Sequence, residues 1–167
     1  MYCNLCGSTE FVEVTRPSIR KDRPPKLVEK CKQCGSNHRA RLVGLYIERF
    51  VDLRPGMKVL HVAPEKGVFA IIASRVGPSY DPRDIDPGRY RGRKAGSVRV
   101  KKIDLCTDAA RLPDNHYQLV LHNHVIEHLP CNYEGVLRHL HRSLKPDGLH
   151  VFTVPISPGS YDEDFGH

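Results

Sequence analysis

Four of the six cysteines in this 167-residue sequence form two matched pairs near the N-terminus. In each pair two residues separate the cysteines, and a glycine follows the second one, as in Cys6-Gly7 and Cys34-Gly35. This spacing lets both thiolates turn toward one centre, and the glycine lets the backbone fold back toward the sulfurs. The pattern therefore predicts a tetrahedral zinc site with four thiolate ligands: Cys3, Cys6, Cys31 and Cys34.

The 24 residues between the two pairs suit two short strands joined by a loop, at residues 11–14 and 26–29. We therefore predict a zinc ribbon over residues 1–38. Disulfides or a redox pair are weaker interpretations of these cysteines, because nothing indicates secretion and a redox site needs one pair only. Since four thiolates close the coordination sphere, the metal would hold the fold and perform no chemistry. The other two cysteines, Cys106 and Cys131, are predicted to be small buried hydrophobic residues.

Beyond the second cysteine pair, helical and strand-like segments alternate. Apolar residues at helical spacing predict helices, and short apolar runs predict buried strands. The predicted helices cover residues 37–53, 66–76 and 132–144, and the predicted strands cover residues 58–63, 79–85, 97–105, 117–122 and 149–156. Residues 86–96 are rich in Arg and Gly, which indicates a loop or a frayed helix. This alternation predicts an α/β domain over residues 39–167, with a mostly parallel sheet and right-handed crossovers.

Composition and charge narrow the class of protein. Hydrophobic residues make up 40% and charged residues 27%, close to a globular average. No apolar run approaches the roughly 18 residues that span a bilayer, and no secretory signal is present, so we predict a cytoplasmic protein. Within the net charge of +7, residues 16–41 carry nine basic against two acidic residues, and residues 83–102 carry eight against two. These two basic clusters suggest an anionic partner, although solvated surface charge explains them equally well.

Four segments carry a resemblance to a known family. Residues 59–67 (VLHVAPEKG) stand where class I S-adenosylmethionine-dependent methyltransferases have their glycine-rich first motif. Residues 112–120 (LPDNHYQLV) resemble the segment that leads into the fourth strand of that family. Residues 125–129 (VIEHL) and 144–148 (LKPDG) resemble its next two signatures. The resemblance implies a doubly wound, Rossmann-like sheet in the strand order 3-2-1-4-5, and S-adenosylmethionine as the cofactor.

The first motif departs from the family's pattern. Ala63 and Glu65 stand at two of the three positions that are usually glycine, which leaves Gly67 alone. The methyl group of Ala63 takes up little space near the cofactor. The Glu65 carboxylate either pairs with the ammonium group of the cofactor's methionine or obstructs binding of the cofactor. His61 replaces the usual acidic residue of the first strand. The resemblance implies cofactor contacts by Ala63, Glu65 and Gly67, or else a methyltransferase-like fold that has lost its cofactor.

Acidic residues follow the predicted second and third strands. One carboxylate at the end of the second strand can accept hydrogen bonds from both hydroxyls of a ribose, and we prefer Asp84 to Asp86 for this role. The resemblance implies an acidic residue after the third strand for the adenine amine. Asp104 matches that position, and the Leu105 N–H would serve a ring nitrogen. Each carboxylate could instead cap a turn, and this is the favoured interpretation of Asp86, which precedes a proline.

Histidines cluster in residues 122–128 (HNHVIEH), at the end of the predicted fourth strand. Ligands of open α/β sheets bind at such strand ends. Asn123, His124 and His128 are therefore candidates to line the acceptor side, and His124 or His128 could act as a general base. Strand and loop packing explains these residues equally well. A second metal site is a weaker interpretation, because the family has similar Glu-His sequences without a metal.

These features leave three functions. We predict methyl transfer to a small-molecule or sugar acceptor, since some sugar C-methyltransferases also begin with a Cys-rich zinc module. The alternatives are an RNA methyltransferase that grips phosphates with its ribbon and basic clusters, and a non-catalytic binding module with a degenerate methyltransferase fold. RNA ranks lower because an Asn/Asp-Pro-Pro-aromatic motif is absent and aromatic residues make up only 7%. Residues 157–167 are acidic and loop-like, so the C-terminal hairpin of the family is expected to be missing.

Overall fold

A computed structural model of the chain describes residues 2–16 and 24–156. The predicted loop at residues 157–167, and part of the first basic cluster, lie outside the described residues. The chain divides into two compact units: one holds the described residues up to Leu53 together with Glu65–Ile72, and the other holds Arg54–Pro64 together with the described residues from Ala73 onward. The division predicted after residue 38 stays a prediction. None of the described helices is long and apolar enough to cross a membrane.

The first unit begins with an antiparallel hairpin of strands β1 (Phe11–Arg16) and β2 (Lys26–Cys31), which confirms the two predicted strands. Helix α1 (His38–Phe50) follows, and Asn37 caps it, since its side-chain oxygen accepts a hydrogen bond from the Ala40 N–H at 3.0 Å. The buried face of α1 consists of Ala40, Val43, Gly44 and Ile47. A Cβ on Gly44 would overlap the Leu5 side chain, so glycine lets this helix lie directly against the first cysteine pair.

The remaining elements follow the alternation expected of an α/β domain. In chain order they are β3 (Val59–Val62), α2 (Lys66–Val76), β4 (Tyr80–Asp84), β5 (Lys94–Ala95), β6 (Val98–Arg99), β7 (Lys101–Lys102), α3 (Leu105–Asp108), β8 (Tyr117–Asn123), α4 (Tyr133–Arg142) and β9 (Leu144–Thr153). Short 3-10 turns occupy Gly77–Ser79, Pro87–Tyr90, Ala109–Arg111 and Ile126–His128.

A five-stranded parallel sheet forms the centre of the second unit. Its strands lie in the order β7-β4-β3-β8-β9, and each neighbouring pair is parallel. Numbered among themselves along the chain, these strands have the order 3-2-1-4-5, so the predicted fold class is confirmed. Strand β3 is buried along its whole length, as parallel strands covered on both faces are. One core unites side chains of the central strands with α3 and α4, including Leu60, Val62, Leu105, Val120, Val136 and Leu140.

The region predicted as one strand over residues 97–105 is divided in the structure. Val98–Arg99 pairs with β5 in a separate antiparallel hairpin, and only Lys101–Lys102 joins the main sheet. The chain then turns into α3, whose N-cap is Asp104, and the sequence pattern did not predict this helix. The prediction failed because the alternation of apolar residues continues from β6 into β7. It therefore does not show that the two strands belong to different sheets.

The last strand also begins earlier than predicted. Helix α4 ends at Arg142, and Leu144 already pairs with Tyr117 of β8. Residues 145–148, predicted as a turn that separates helix from strand, therefore lie within β9. Asp147 has a φ of 64°, which keeps the turn-like backbone that the Pro and Gly beside it indicate.

Cys106 and Cys131 form a disulfide, with 5.8 Å between their Cα atoms. The prediction that each is a separate buried hydrophobic residue is wrong, and both residues are only half-buried. Cys106 lies in α3 and Cys131 lies between β8 and α4, so the parallel sheet brings two segments together that are 25 residues apart. A single cysteine has no spacing motif from which such a partner could be read.

Candidate active site

The carboxyl edge of the parallel sheet collects polar side chains. Asp84 is the last residue of β4, and Asp104 stands two residues after β7, the neighbouring strand. The two strand ends are joined where the Ile103 N–H donates to the Asp84 carbonyl at 2.9 Å. Asn123 ends β8 on the other side of β3. Ligands of open α/β sheets bind outside the carboxyl ends of the strands, so this edge is the candidate active site.

Asp84 is buried, with 3% of its surface exposed. One carboxylate oxygen accepts the Asp86 N–H at 2.8 Å, and the other accepts the Tyr90 hydroxyl at 2.6 Å. Burial and the bond to Asp84 raise the pKa of the Tyr90 hydroxyl, which therefore stays a donor. Because a carboxylate offers about four acceptor positions, these two bonds leave two positions unused. The Asp86 side chain accepts instead from the Gly88 N–H at 3.0 Å, which is the capping role that the sequence favoured.

Tyr90 was not predicted as part of the site. It lies in the 3-10 turn Pro87–Tyr90, in the segment predicted as a loop or frayed helix. The Arg93 guanidinium lies over its ring at 4.8 Å from the centre, and Arg93 also donates to the Pro64 carbonyl at 2.5 Å. These contacts hold the Tyr90 hydroxyl against the Asp84 carboxylate. The sequence indicated this contact only through the presence of an aromatic residue, Tyr90, six positions after Asp84.

Asp104 acts as the N-cap of α3. One carboxylate oxygen accepts the Cys106 N–H at 2.9 Å, and the Asp104 N–H donates to Asp108 at 2.9 Å. Within the described part of the chain, the second carboxylate oxygen of Asp104 accepts no hydrogen bond. Leu105 is buried in the core, and its predicted backbone contact with a ring nitrogen stays a prediction.

The residues of the altered glycine motif are placed as follows. Ala63 directly follows β3 in the left-handed region, with a φ of 53°, and its N–H donates to the Arg83 carbonyl at 2.8 Å. In the first unit, the Glu65 carbonyl accepts the Phe69 N–H in the first turn of α2. Gly67 is buried there, and a Cβ on it would lie 2.5 Å from the Ser36 hydroxyl oxygen. A larger residue would therefore displace the side chains of Ser36 and Leu5, so packing within the first unit already favours glycine here. The predicted cofactor contact of Gly67 stays a prediction.

The histidines around the end of β8 fall into two groups. His122 is fully buried and its Nε2 lies 3.0 Å from that of His150. Burial, reinforced by the charge of His150, lowers the pKa of His122 to about 3, and burial lowers the pKa of His150 to about 4. These two rings are neutral packing groups at neutral pH. His124 and His128 lie beyond the strand, and the His124 Nδ1 is 2.9 Å from the Glu127 carboxylate.

The first unit brings the four N-terminal cysteines together. Their sulfur atoms all lie within 4.8 Å of one another, with 3.6 Å between Cys3 and Cys34 and 3.5 Å between Cys6 and Cys31. Backbone groups of Leu5 and Ser8 form hydrogen bonds to the first two sulfurs. A tetrahedron of sulfurs around a zinc ion at 2.3 Å has edges of about 3.8 Å, so this cluster has the size that a metal ion needs.

Residues 36–167 match a family model described as a methyltransferase domain, which covers most of the chain. The chain belongs to the methyltransferase domain family. The matched region contains the whole parallel sheet together with α1, and it begins directly after the second cysteine pair. No curated protein matches the sequence.

Solved structures of methyltransferases share the fold of this methyltransferase domain. A protein assigned as a sarcosine dimethylglycine methyltransferase from Galdieria sulphuraria is 20% identical, with a TM-score of 0.53 over 69% of this chain and 44% of that one. An S-adenosylmethionine-dependent methyltransferase from Mesorhizobium loti is 16% identical, with a TM-score of 0.54 over 66% of this chain and 52% of that one.

A third likeness is to phosphoethanolamine N-methyltransferase 2 from Haemonchus contortus, in complex with S-adenosyl-L-methionine. It is 20% identical, with a TM-score of 0.53 over 72% of this chain and 30% of that one. This chain therefore spans about half, or less, of the length of these three proteins. At these identities the likeness is one of fold, and the acceptor has to be inferred from this chain's own residues.

Proposed function

We propose that this methyltransferase domain binds S-adenosylmethionine and transfers its methyl group to a small-molecule or sugar acceptor. The observation that carries the proposal is the pair of carboxylates, Asp84 and Asp104, at neighbouring strand ends of the 3-2-1-4-5 sheet. They lie on the carboxyl edge, where open α/β sheets bind their ligands. The family match makes methyl transfer the chemistry that such an edge serves.

The hydrogen-bond acceptors at this edge match the hydrogen-bond donors of the cofactor. Asp84 has two unused acceptor positions, which is the number that the two vicinal hydroxyls of a ribose require. Asp104 has a carboxylate oxygen available for the amine of adenine. When bound, S-adenosylmethionine supplies an electrophilic methyl group on its sulfonium sulfur. Contacts by the four other predicted positions stay predictions: Ala63, Glu65, Gly67 and Leu105.

We further propose that the sulfurs of the four N-terminal cysteines bind one structural zinc ion. The support is the mutual distance of the sulfurs, and the backbone groups that bond to them. A closed site of four thiolates gives the ion a structural role. The cytoplasmic location stays a prediction, and the Cys106–Cys131 disulfide is unusual for a reducing compartment.

An anionic acceptor is supported by the surface that follows β4. Exposed basic side chains are concentrated there: Arg89, Arg91, Lys94, Arg99, Lys101 and Lys102. Lys94 and Arg99 stand directly opposite each other in the hairpin of β5 and β6. Like charges opposite each other destabilise a hairpin, so an anion that neutralises them would stabilise it. A phosphorylated sugar fits this charge, and RNA is the second candidate on the same ground.

The deciding experiment is calorimetric titration of S-adenosylmethionine into the full chain purified without chelator. We expect one binding site per chain, and methyl transfer to sugar phosphates in a mass-spectrometric assay. Absence of binding would contradict the proposal and favour the degenerate binding module. Methyl transfer to an RNA oligonucleotide, with affinity that falls steeply with salt concentration, would favour the RNA alternative instead.

A further inference from the structure

His124 and Glu127 form a hydrogen-bonded pair directly after β8. The His124 Nδ1 and the Glu127 Oε1 are 2.9 Å apart, and the two side chains keep 19% and 21% of their exposure. The 3-10 turn Ile126–His128 brings the chain back so that Glu127 reaches the ring of His124. The pair thus stands at the carboxyl edge of the sheet, shielded from most of the solvent but still accessible to a ligand.

The backbone of His124 is held in a conformation that favours glycine. Its φ is 52°, and an L-residue in this region costs about 1–2 kcal/mol relative to the right-handed form. The His124 N–H donates to the Thr153 carbonyl at 2.9 Å, and the Thr153 hydroxyl donates to Asn123 at 3.1 Å. These bonds fix the direction in which the imidazole leaves the chain. Strained backbone of this kind clusters at functional sites, so the side chain of His124 is a candidate for a functional role.

We propose that Glu127 is a positioning residue that makes His124 the general base of the methyl transfer, and that the acceptor atom is a hydroxyl oxygen. The inference rests on the proposed function. An ionised carboxylate only accepts hydrogen bonds, so the proton of the neutral imidazole has to reside on Nδ1. The Nε2 then carries the lone pair and can take a proton, while Glu127 stabilises the imidazolium that forms.

A hydroxyl acceptor explains why the base is needed. As the hydroxyl oxygen forms its bond to the methyl carbon, the carbon–sulfur bond breaks and its electron pair stays on sulfur. The hydroxyl proton passes to the His124 Nε2 and later to water, so the products are a methyl ether and the neutral thioether. An uncharged amine attacks without losing its proton first, and a base at this position would add little to its rate.

The first test needs neither cofactor nor acceptor. Long-range ¹H–¹⁵N NMR of the full, zinc-loaded chain reads which ring nitrogen carries the proton, with His124→Gln used to assign the signals. In the wild type we expect the proton on Nδ1. In Glu127→Gln the amide can also donate to the ring, so we expect a mixture of both tautomers. A proton on Nε2 in the wild type would overturn the proposal.

The second test compares variants with glucose 6-phosphate and glucosamine 6-phosphate as probes. We expect O-methylation of both, and a kcat about 10²- to 10⁴-fold lower in His124→Gln. In Glu127→Gln we expect a kcat that is lower by up to about 10⁴-fold, with little change in KM in either variant. Glu134→Gln is the matched control, because Glu134 lies in an exposed ion pair with Arg138 on α4.

Three results of the second test would overturn the assignment. They are N-methylation alone, no transfer to either probe by a chain that binds S-adenosylmethionine, and an equal loss of kcat in His128→Gln. The affinity for S-adenosylmethionine is expected to be the same in the wild type and the variants. If the wild type fails to bind it, the proposed function fails, whereas the NMR measurement still decides the state of His124.

Discussion

Substituting Asp84 by Asn tests whether its carboxylate binds the cofactor or only stabilises the fold. Asn has nearly the same shape, but it has one acceptor oxygen instead of two and adds an NH₂ donor. That oxygen cannot serve Asp86, Tyr90 and a ribose together, since Asp86 and Tyr90 already bond to the two carboxylate oxygens at 2.8 and 2.6 Å. Hydrogen bonds to a charged acceptor contribute about 1.5–3 kcal/mol, which corresponds to about 10- to 150-fold weaker binding of S-adenosylmethionine.

The matched control for this experiment is Asp86→Asn. Among the residues that the structure describes, the Asp86 side chain accepts a hydrogen bond from the Gly88 N–H alone, and an Asn oxygen can also accept it. The backbone N–H that bonds to Asp84 is retained in this variant. We expect its effect on affinity to stay within about twofold. Calorimetry measures both variants, and thermal unfolding confirms that they are folded. An equal loss at Asp86, or unchanged affinity in folded Asp84→Asn, would refute the assignment of the ribose to Asp84.

Three further predictions concern the metal, the buried histidines and Asp81. Metal analysis should find one zinc ion per wild-type chain and a clear loss in Cys34→Ser, because three thiolates and a hydroxyl bind zinc less tightly. The lowered pKa values of His122 and His150 mean that unfolding takes up protons below pH about 6.5. The free energy of unfolding, measured by urea titration, should therefore be highest above that pH. As the pH drops toward 4, it should fall by about 1.4 kcal/mol per pH unit for each histidine. His122→Phe should remove the contribution of one histidine to this pH dependence. Asp81 in β4 accepts hydrogen bonds from Arg83 and Tyr117, both at 2.9 Å. Burial acts to raise the pKa of Asp81, but the bond and charge of Arg83 hold it below its usual value. Asp81→Asn should therefore lower the unfolding free energy by about 1–3 kcal/mol at neutral pH, and the difference from wild type should shrink in acid.

The parts of the molecule that follow short-range rules were predictable from the sequence. The apolar run of β8 (Tyr117–Asn123) indicated a buried central strand, and that strand lies beside β3 in the sheet. The two-residue spacing within each cysteine pair acts over a few bonds, so it predicted the cluster before any fold was known. The run of β8 covers seven residues and each cysteine pair spans four, so both patterns are local, and tertiary packing agreed with them.

The features that the sequence did not reveal depend on contacts between distant or irregular segments. The Cys106–Cys131 disulfide joins α3 to the segment before α4, and neither cysteine belongs to a closely spaced pair of the kind that identified the other four. Tyr90 reaches Asp84 through a 3-10 turn in a segment without periodicity. Lys101–Lys102 joins the sheet although neither side chain is apolar, because a two-residue edge strand needs backbone pairing more than burial.

Backbone strain at the carboxyl edge adds an argument that charge alone does not provide. Ala63 and His124 each follow a central strand, β3 and β8, and both have a left-handed φ although neither is glycine. Ala63 has only a methyl side chain, and it lies in a loop where the methyltransferases that the sequence resembles usually have glycine. At His124 the left-handed conformation, which costs about 1–2 kcal/mol, places an imidazole beside Glu127. Local strain thus lies at two strand ends of the kind at which open α/β sheets bind ligands, and at one of them the strained residue is the proposed general base.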